Sequence, residues 1–172
     1  MPLLLLWLLT TLLGRPPGPP EPRATVYVFL ADTCPISQGI TPELRELYFR
    51  YARQGVGFGG VFPDPATSAA AVAAFAQTYR LPFVCSRDVG HRLTRRLGAR
   101  VTPEAVVLAA DGRTVLYRGR IDDGFVRLGQ RRTLIQHHDL AAALAAIVAG
   151  QPVAVAKTEP VGCFIESLIL NH

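Results

Sequence analysis

The stretch ATVYVFLADTCPISQG, Ala24 to Gly39, decides the fold. Its first half, ATVYVFLA, is β-branched and aromatic with no polar alternation, the pattern of a strand buried on both faces. Its second half places Cys34 where that strand ends and a helix begins. Pro35 suits the first helical turn, because its missing N–H is one that the helix leaves unpaired anyway. Downstream, Leu44, Leu47, Tyr48 and Tyr51 form the apolar stripe of a helix. Pro42 either opens that helix, with Thr41 as its cap, or kinks a longer one starting at Cys34.

A helix mouth presents free N–H groups and the positive end of the helix dipole, and both favour an anion. A thiolate is such an anion, and this placement lowers a cysteine pKa from about 8.5 into the range 3.5–7.5. Thr33 and Ser37 are candidate hydrogen-bond donors to the Cys34 sulfur. Ser37 stands where a C-x-x-C motif has its second cysteine, so any partner thiol must come from elsewhere. The alternative is an inert structural cysteine at a strand end.

VGFGGVF, Val56 to Phe62, reads as a second buried strand. Thr67 or Ser68 caps a helix carrying Val72, Phe75, Ala76 and Tyr79 on one face. LPFVCS is a short, buried strand, and HRLTRRLG a short helix stopped by Gly98. EAVVLAA and RTVLYRG flank Asp111-Gly112, a hairpin signal. Asp139 then caps LAAALAAIVAG, which Gly150 ends. The order β-α-β-α-β-α-β-β-α predicts an α/β domain with a mixed central sheet flanked by helices.

The chain has 172 residues, 49% of them hydrophobic and 18% charged, which fits a packed globule. Net charge is +5, carried almost wholly by arginine, Lys157 being the only lysine. The arginines are scattered and no basic face is interleaved with aromatics, so no nucleic-acid partner is expected. MPLLLLWLLTTLL is shorter than the roughly 20 residues of a membrane span but suits the apolar core of a secretory signal. Residues 1–23 therefore read as a signal peptide and Pro-rich linker, 24–150 as the folded domain and 151–172 as a tail. Export to a periplasmic or extracytoplasmic compartment would allow disulfides between Cys34, Cys85 and Cys163.

The strand–Cys-Pro–helix start, Pro42, VTPEAVVLAADGRTVLYRGRIDD and the late Gly162-Cys163-Phe164-Ile165 resemble the thioredoxin-like redoxins. These include the AhpC/TSA proteins and the extracytoplasmic thiol-disulfide oxidoreductases, and the chain is most similar to a bacterial subgroup with a CPIS-type start. The resemblance implies a thioredoxin-like fold with a βα insertion of redoxin type. It also implies that Thr102-Pro103 is a cis-proline loop facing Cys34 and presenting the substrate backbone. Members often precede cytochrome-type or monooxygenase domains, which suggests a membrane-associated redox partner or a cytochrome-type partner domain. Two family features are missing. Val28 stands where thioredoxins bury an acid, and Ala31 stands at the threonine of the peroxidatic P-x-x-x-T-x-x-C pattern. Arg118 or Arg120 offers a cation near Cys34, although solvated surface arginines are the simpler expectation.

Cys163, preceded by Gly162 in the tail, is the candidate partner of Cys34. It either resolves a mixed disulfide or sulfenic acid, forms a permanent staple, or pairs with another chain. A staple closing so long a loop stabilises by about 4–5 kcal/mol in the chain-entropy model. Cys85 reads as a small core residue. His91, His137, His138 and His172 lack ligand spacing, and no C-x-x-C-H is present, so neither a metal nor another cofactor is expected. Asp122 and Asp123 read as turn residues.

The expectation is thus an oxidoreductase in which Cys34 is the nucleophile and Cys163 the resolving thiol, assisted by Thr33, Ser37, Thr102 and Pro103. Its substrate would be a protein thiol or disulfide, or a peroxide. The competing expectation is a non-catalytic interaction or electron-transfer domain with a structural disulfide.

Overall fold

A computed structural model describes residues 22–165. The strand read from ATVYVF is β1 (Ala24–Phe29), and it lies at the centre of a five-stranded sheet. β2 (Val56–Phe62) and β3 (Val84–Arg87) extend the sheet in parallel on one side of β1. On the other side, β5 (Glu104–Ala109) and β6 (Val115–Gly119) are antiparallel, which gives the order β3-β2-β1-β5-β6. β4 (Val101–Thr102) precedes β5 and pairs outside this sheet, with β9 (Cys163–Phe164). The mixed sheet and its helices are the expected architecture.

After β1, the chain turns into α1 (Pro35–Gly39) and, through Ile40, into α2 (Thr41–Tyr51). Ile40 keeps helical dihedrals, so Pro42 sits just beyond a kink in one helical run that begins at Cys34. Thr41 does not cap; its hydroxyl donates to the Gln38 carbonyl at 2.8 Å. α3 (Ala69–Thr78) is capped by Ser68, whose hydroxyl accepts the Ala71 N–H at 3.0 Å. α4 (Arg92–Leu97) ends at Gly98, with φ +65°. α5 (Asp139–Val148) begins after His138, so Asp139 is its first helical residue rather than its cap. There Asp139 pairs with Arg120 at 2.7 Å.

The main core joins Val26, Val28 and Leu30 of β1 and the residue after it to Leu44 and Leu47 of α2 and Leu140 and Leu144 of α5. Each such side chain contributes about 1.5–3 kcal/mol through burial. The other face of the sheet packs Phe29, Val61, Val106 and Leu108 against Leu97, Ala99 and Ile165. One strand expectation needs correction. LPFVCS yields an edge strand, not a buried one, with Val84 79% exposed. The segment after Asp123 also folds into a second hairpin, β7 (Phe125–Arg127) with β8 (Gln130–Arg131).

The tail segment 156–165 runs along the domain and is held to it. Arg118 of β6 donates its N–H to the Ala156 carbonyl and accepts the Thr158 N–H on its own carbonyl, and the Thr158 hydroxyl meets the Tyr117 hydroxyl at 2.8 Å. At its far end, buried Ile165 donates its N–H to the Arg100 carbonyl at 3.0 Å. Residues 1–21, which hold most of the expected signal peptide and linker, and residues 166–172 lie outside the described residues.

Candidate active site

Cys34 is the N-cap residue of α1, and it is only 2% exposed. Its sulfur lies at the open end of the helix without a regular side-chain cap hydrogen bond. The N–H groups of Ser37 and Ile36 and the Ser37 hydroxyl nevertheless face it and favour its thiolate. Ser37 is fully buried, and its oxygen also accepts the Ala31 N–H at 3.2 Å, which ties the end of β1 to the helix. Thr33 is exposed and is not among the groups hydrogen-bonded to the sulfur.

The opposite wall is the Thr102-Pro103 loop, and its peptide bond is cis. The Cys34 thiol donates to the Thr102 carbonyl at 3.3 Å. Thr102 is also the register partner of Cys163 in the β4–β9 pair, and its hydroxyl donates to the Cys163 carbonyl at 3.4 Å. This pairing carries Cys163 to Cys34. Both are free thiols, and they hydrogen-bond to each other.

The two sulfurs have opposed acidities. Burial alone would raise the Cys34 pKa, but the Cys163 thiol, the two N–H groups and the Ser37 hydroxyl together bring it below the ordinary thiol value. Cys163 is pushed up to about 12, first by burial and then by its hydrogen bond to Cys34 and the charge there. The pair therefore loses its first proton as a unit, with the negative charge held on the Cys34 side. Such a pair can form a disulfide and exchange it with other thiols.

A model of the AhpC/TSA family matches residues 22–119. The chain belongs to the AhpC/TSA family. Among solved structures it is similar to a hypothetical protein from Sinorhizobium meliloti, at 24% identity and TM-score 0.74, covering 85% of this chain and 80% of that one. An uncharacterized conserved protein from Geobacillus kaustophilus gives 25% identity and TM-score 0.72, with coverages of 83% and 76%. A secreted Mycobacterium tuberculosis disulfide oxidoreductase homologous to E. coli DsbE gives 22% and 0.53, with coverages of 72% and 81%. No curated protein matches the chain. The fold is thioredoxin-like.

The other candidate residues have partners of their own. Arg118 donates to the carbonyls of Leu97 and Gly98, and Arg120 is engaged by Asp139. Cys85 packs against Gly60 at the sheet edge, and burial pushes its thiol up to about 11. His138 meets Glu43 at 3.1 Å. Among the described residues, no group of three or more His, Cys, Asp or Glu side chains could hold a metal ion. Asp122 and Asp123 are buried and organise the loop after β6, Asp123 accepting the N–H groups of Gln136 and His137.

Sequence reasoning passed over Glu104. It is 2% exposed and directly follows Pro103, and its carboxylate turns back to accept the N–H of Arg100 at 2.8 Å. It also accepts the Val101 N–H at 3.4 Å. Glu104 thereby fixes the loop that presents Thr102 to both cysteines. An acid heading an otherwise apolar strand, EAVVLA, was the available signal.

Proposed function

We propose that the protein is a thiol-disulfide oxidoreductase whose redox pair is Cys34 and Cys163. The carrying observation is the contact between these thiols across the cis Thr102-Pro103 loop, with the more acidic sulfur at the start of α1. Cys34 is the sulfur held as the thiolate in the reduced pair and Cys163 is its disulfide partner, while Ser37 and Thr102 position the sulfurs. Two electrons and two protons are exchanged per cycle, and the chain's own sulfurs suffice for this chemistry without a further cofactor. Protein thiols or disulfides are the substrates this reading favours. A peroxidase reading is weaker, because Cys34 is enclosed and Ala31 replaces the threonine of the peroxidatic pattern.

Export fits the same chemistry, since disulfides form and persist in an oxidising compartment. The apolar run Met1–Leu13 and the likeness to a secreted disulfide oxidoreductase both support it. Among the described residues, no helix is long and apolar enough to cross a membrane. A membrane-associated or cytochrome-type protein that exchanges electrons with the pair is the partner we propose.

One observation favours the staple reading. The tail is anchored on both sides of Cys163, by Thr158 and by Ile165, as a structural clasp would be. The reduction potential of the pair separates the two. A value near −200 mV supports exchange, and one below about −300 mV means a staple.

A further inference from the structure

We propose that partner sulfurs are exchanged at Cys163, and that Cys34 acts only within the protein, as the leaving thiolate. This rests on the redox-pair reading above.

The two sulfurs differ in access. Cys34 is 2% exposed, with α1 on one side, the Thr102 carbonyl on another and Cys163 in front of it. Reaching it requires lifting the segment that carries β9. Gly162 of that segment packs directly on the Thr102-Pro103 peptide, Ile165 is buried in the core, and Thr158 is bonded to Tyr117. Cys163 itself is partly exposed, and among the described residues its strand pairs only with β4. An incoming sulfur therefore meets Cys163 first.

The chemistry of exchange selects the same order. A thiolate attacks the more accessible sulfur of a disulfide, and the sulfur better stabilised as an anion leaves faster. In the Cys34–Cys163 disulfide, a partner thiolate attacks the Cys163 sulfur. The new bond joins partner and Cys163, the Cys34–Cys163 bond breaks, and its electron pair goes to Cys34 at the mouth of α1. The partner's second thiol, deprotonated, then attacks its own mixed sulfur and expels Cys163, which takes up that proton. The partner dithiol is oxidised by two electrons, and Cys34 and Cys163 end as thiolate and thiol. In the opposite direction Cys163 must attack first, and its thiol, pushed up to about 12, is almost wholly protonated at neutral pH.

The test uses the oxidised full chain. A non-reducing peptide map first establishes the Cys34–Cys163 disulfide; its absence overturns the pair and this proposal with it. The disulfide is then exposed to reduced glutathione, quenched with N-ethylmaleimide over a series of short times, and mapped by mass spectrometry. We expect glutathione on Cys163 and maleimide on Cys34, with at least about a tenfold excess over the reverse pattern. Glutathione mainly on Cys34, or loss of the disulfide with no adduct on Cys163, overturns the assignment while leaving the redox pair intact.

Discussion

Gly162 lies so close to Thr102 that a Cβ at residue 162 would collide with the Thr102 carbonyl oxygen. That carbonyl is also the acceptor of the Cys34 thiol. The approach of the tail and the position of the thiol are therefore set by the same peptide group. Gly162→Ala forces backbone against backbone, and should cost about 1–3 kcal/mol, as overpacking of a fitted contact does. Denaturant unfolding of the reduced protein measures the cost. Oxidation to the disulfide should also slow, and an unchanged rate would mean that β9 does not deliver Cys163.

The acidity of Cys34 depends on its donors. Cys163→Ala removes the strongest of them and should raise the Cys34 pKa, whereas Cys163→Ser, which keeps a hydroxyl donor, should raise it less. Ser37→Ala should shift it in the same upward direction. Thiolate absorbance against pH reads each midpoint; three variants titrating like the parent would remove the hydrogen-bond account.

Stability of the reduced protein should follow the pair. For Cys34 the folded pKa lies below the unfolded one, so its contribution is full above the unfolded value near 9 and is lost as pH falls through the folded value. For Cys163 the folded value is about 12, so its contribution is full below about 9 and lost as pH rises toward 12. The difference in unfolding free energy between the parent and a double Cys34→Ser, Cys163→Ser variant should peak near pH 9. A flat difference from pH 6 to 11 contradicts the opposed shifts.

Glu104 should matter through its acceptor oxygens. Glu104→Leu leaves the N–H groups of Arg100 and Val101 unpaired and should cost about 1–3 kcal/mol for each group left buried. Glu104→Gln keeps one acceptor oxygen and should recover most of the stability and of the disulfide formation rate. Equal losses in the two variants would mean that the charge, not the hydrogen bonding, holds the loop.

Much of the frame was legible in the sequence because it rests on local rules. ATVYVF has the composition of a doubly buried strand, Gly98 and Gly150 take the left-handed turns that end helices, and Cys-Pro marks a helix mouth. The cysteine and its Ser37 donor follow from position alone. What was not legible depends on distant pairing. β4 and β9 are two residues each, too short to show a period, and their partnership exists only because Gly162 allows close approach to Thr102. Glu104 resembles an ordinary strand-entry acid until the loop before it folds back. Asp139 reads as a cap because a cap and a first-turn acid look alike in sequence, and Arg120, which claims it, lies outside the helix.

The positions of Cys34 and Cys163 near opposite ends of the described chain carry a mechanical consequence. A bond between them converts everything from α1 to β9 into a covalent ring, while β1, the middle strand of the main sheet, stays outside it. Tension applied to the two termini of the oxidised protein would pass through the sulfur bridge and extract β1 from between β2 and β5, together with the short stretch from Phe164 onward. Reduction would remove that limit and let the whole length extend.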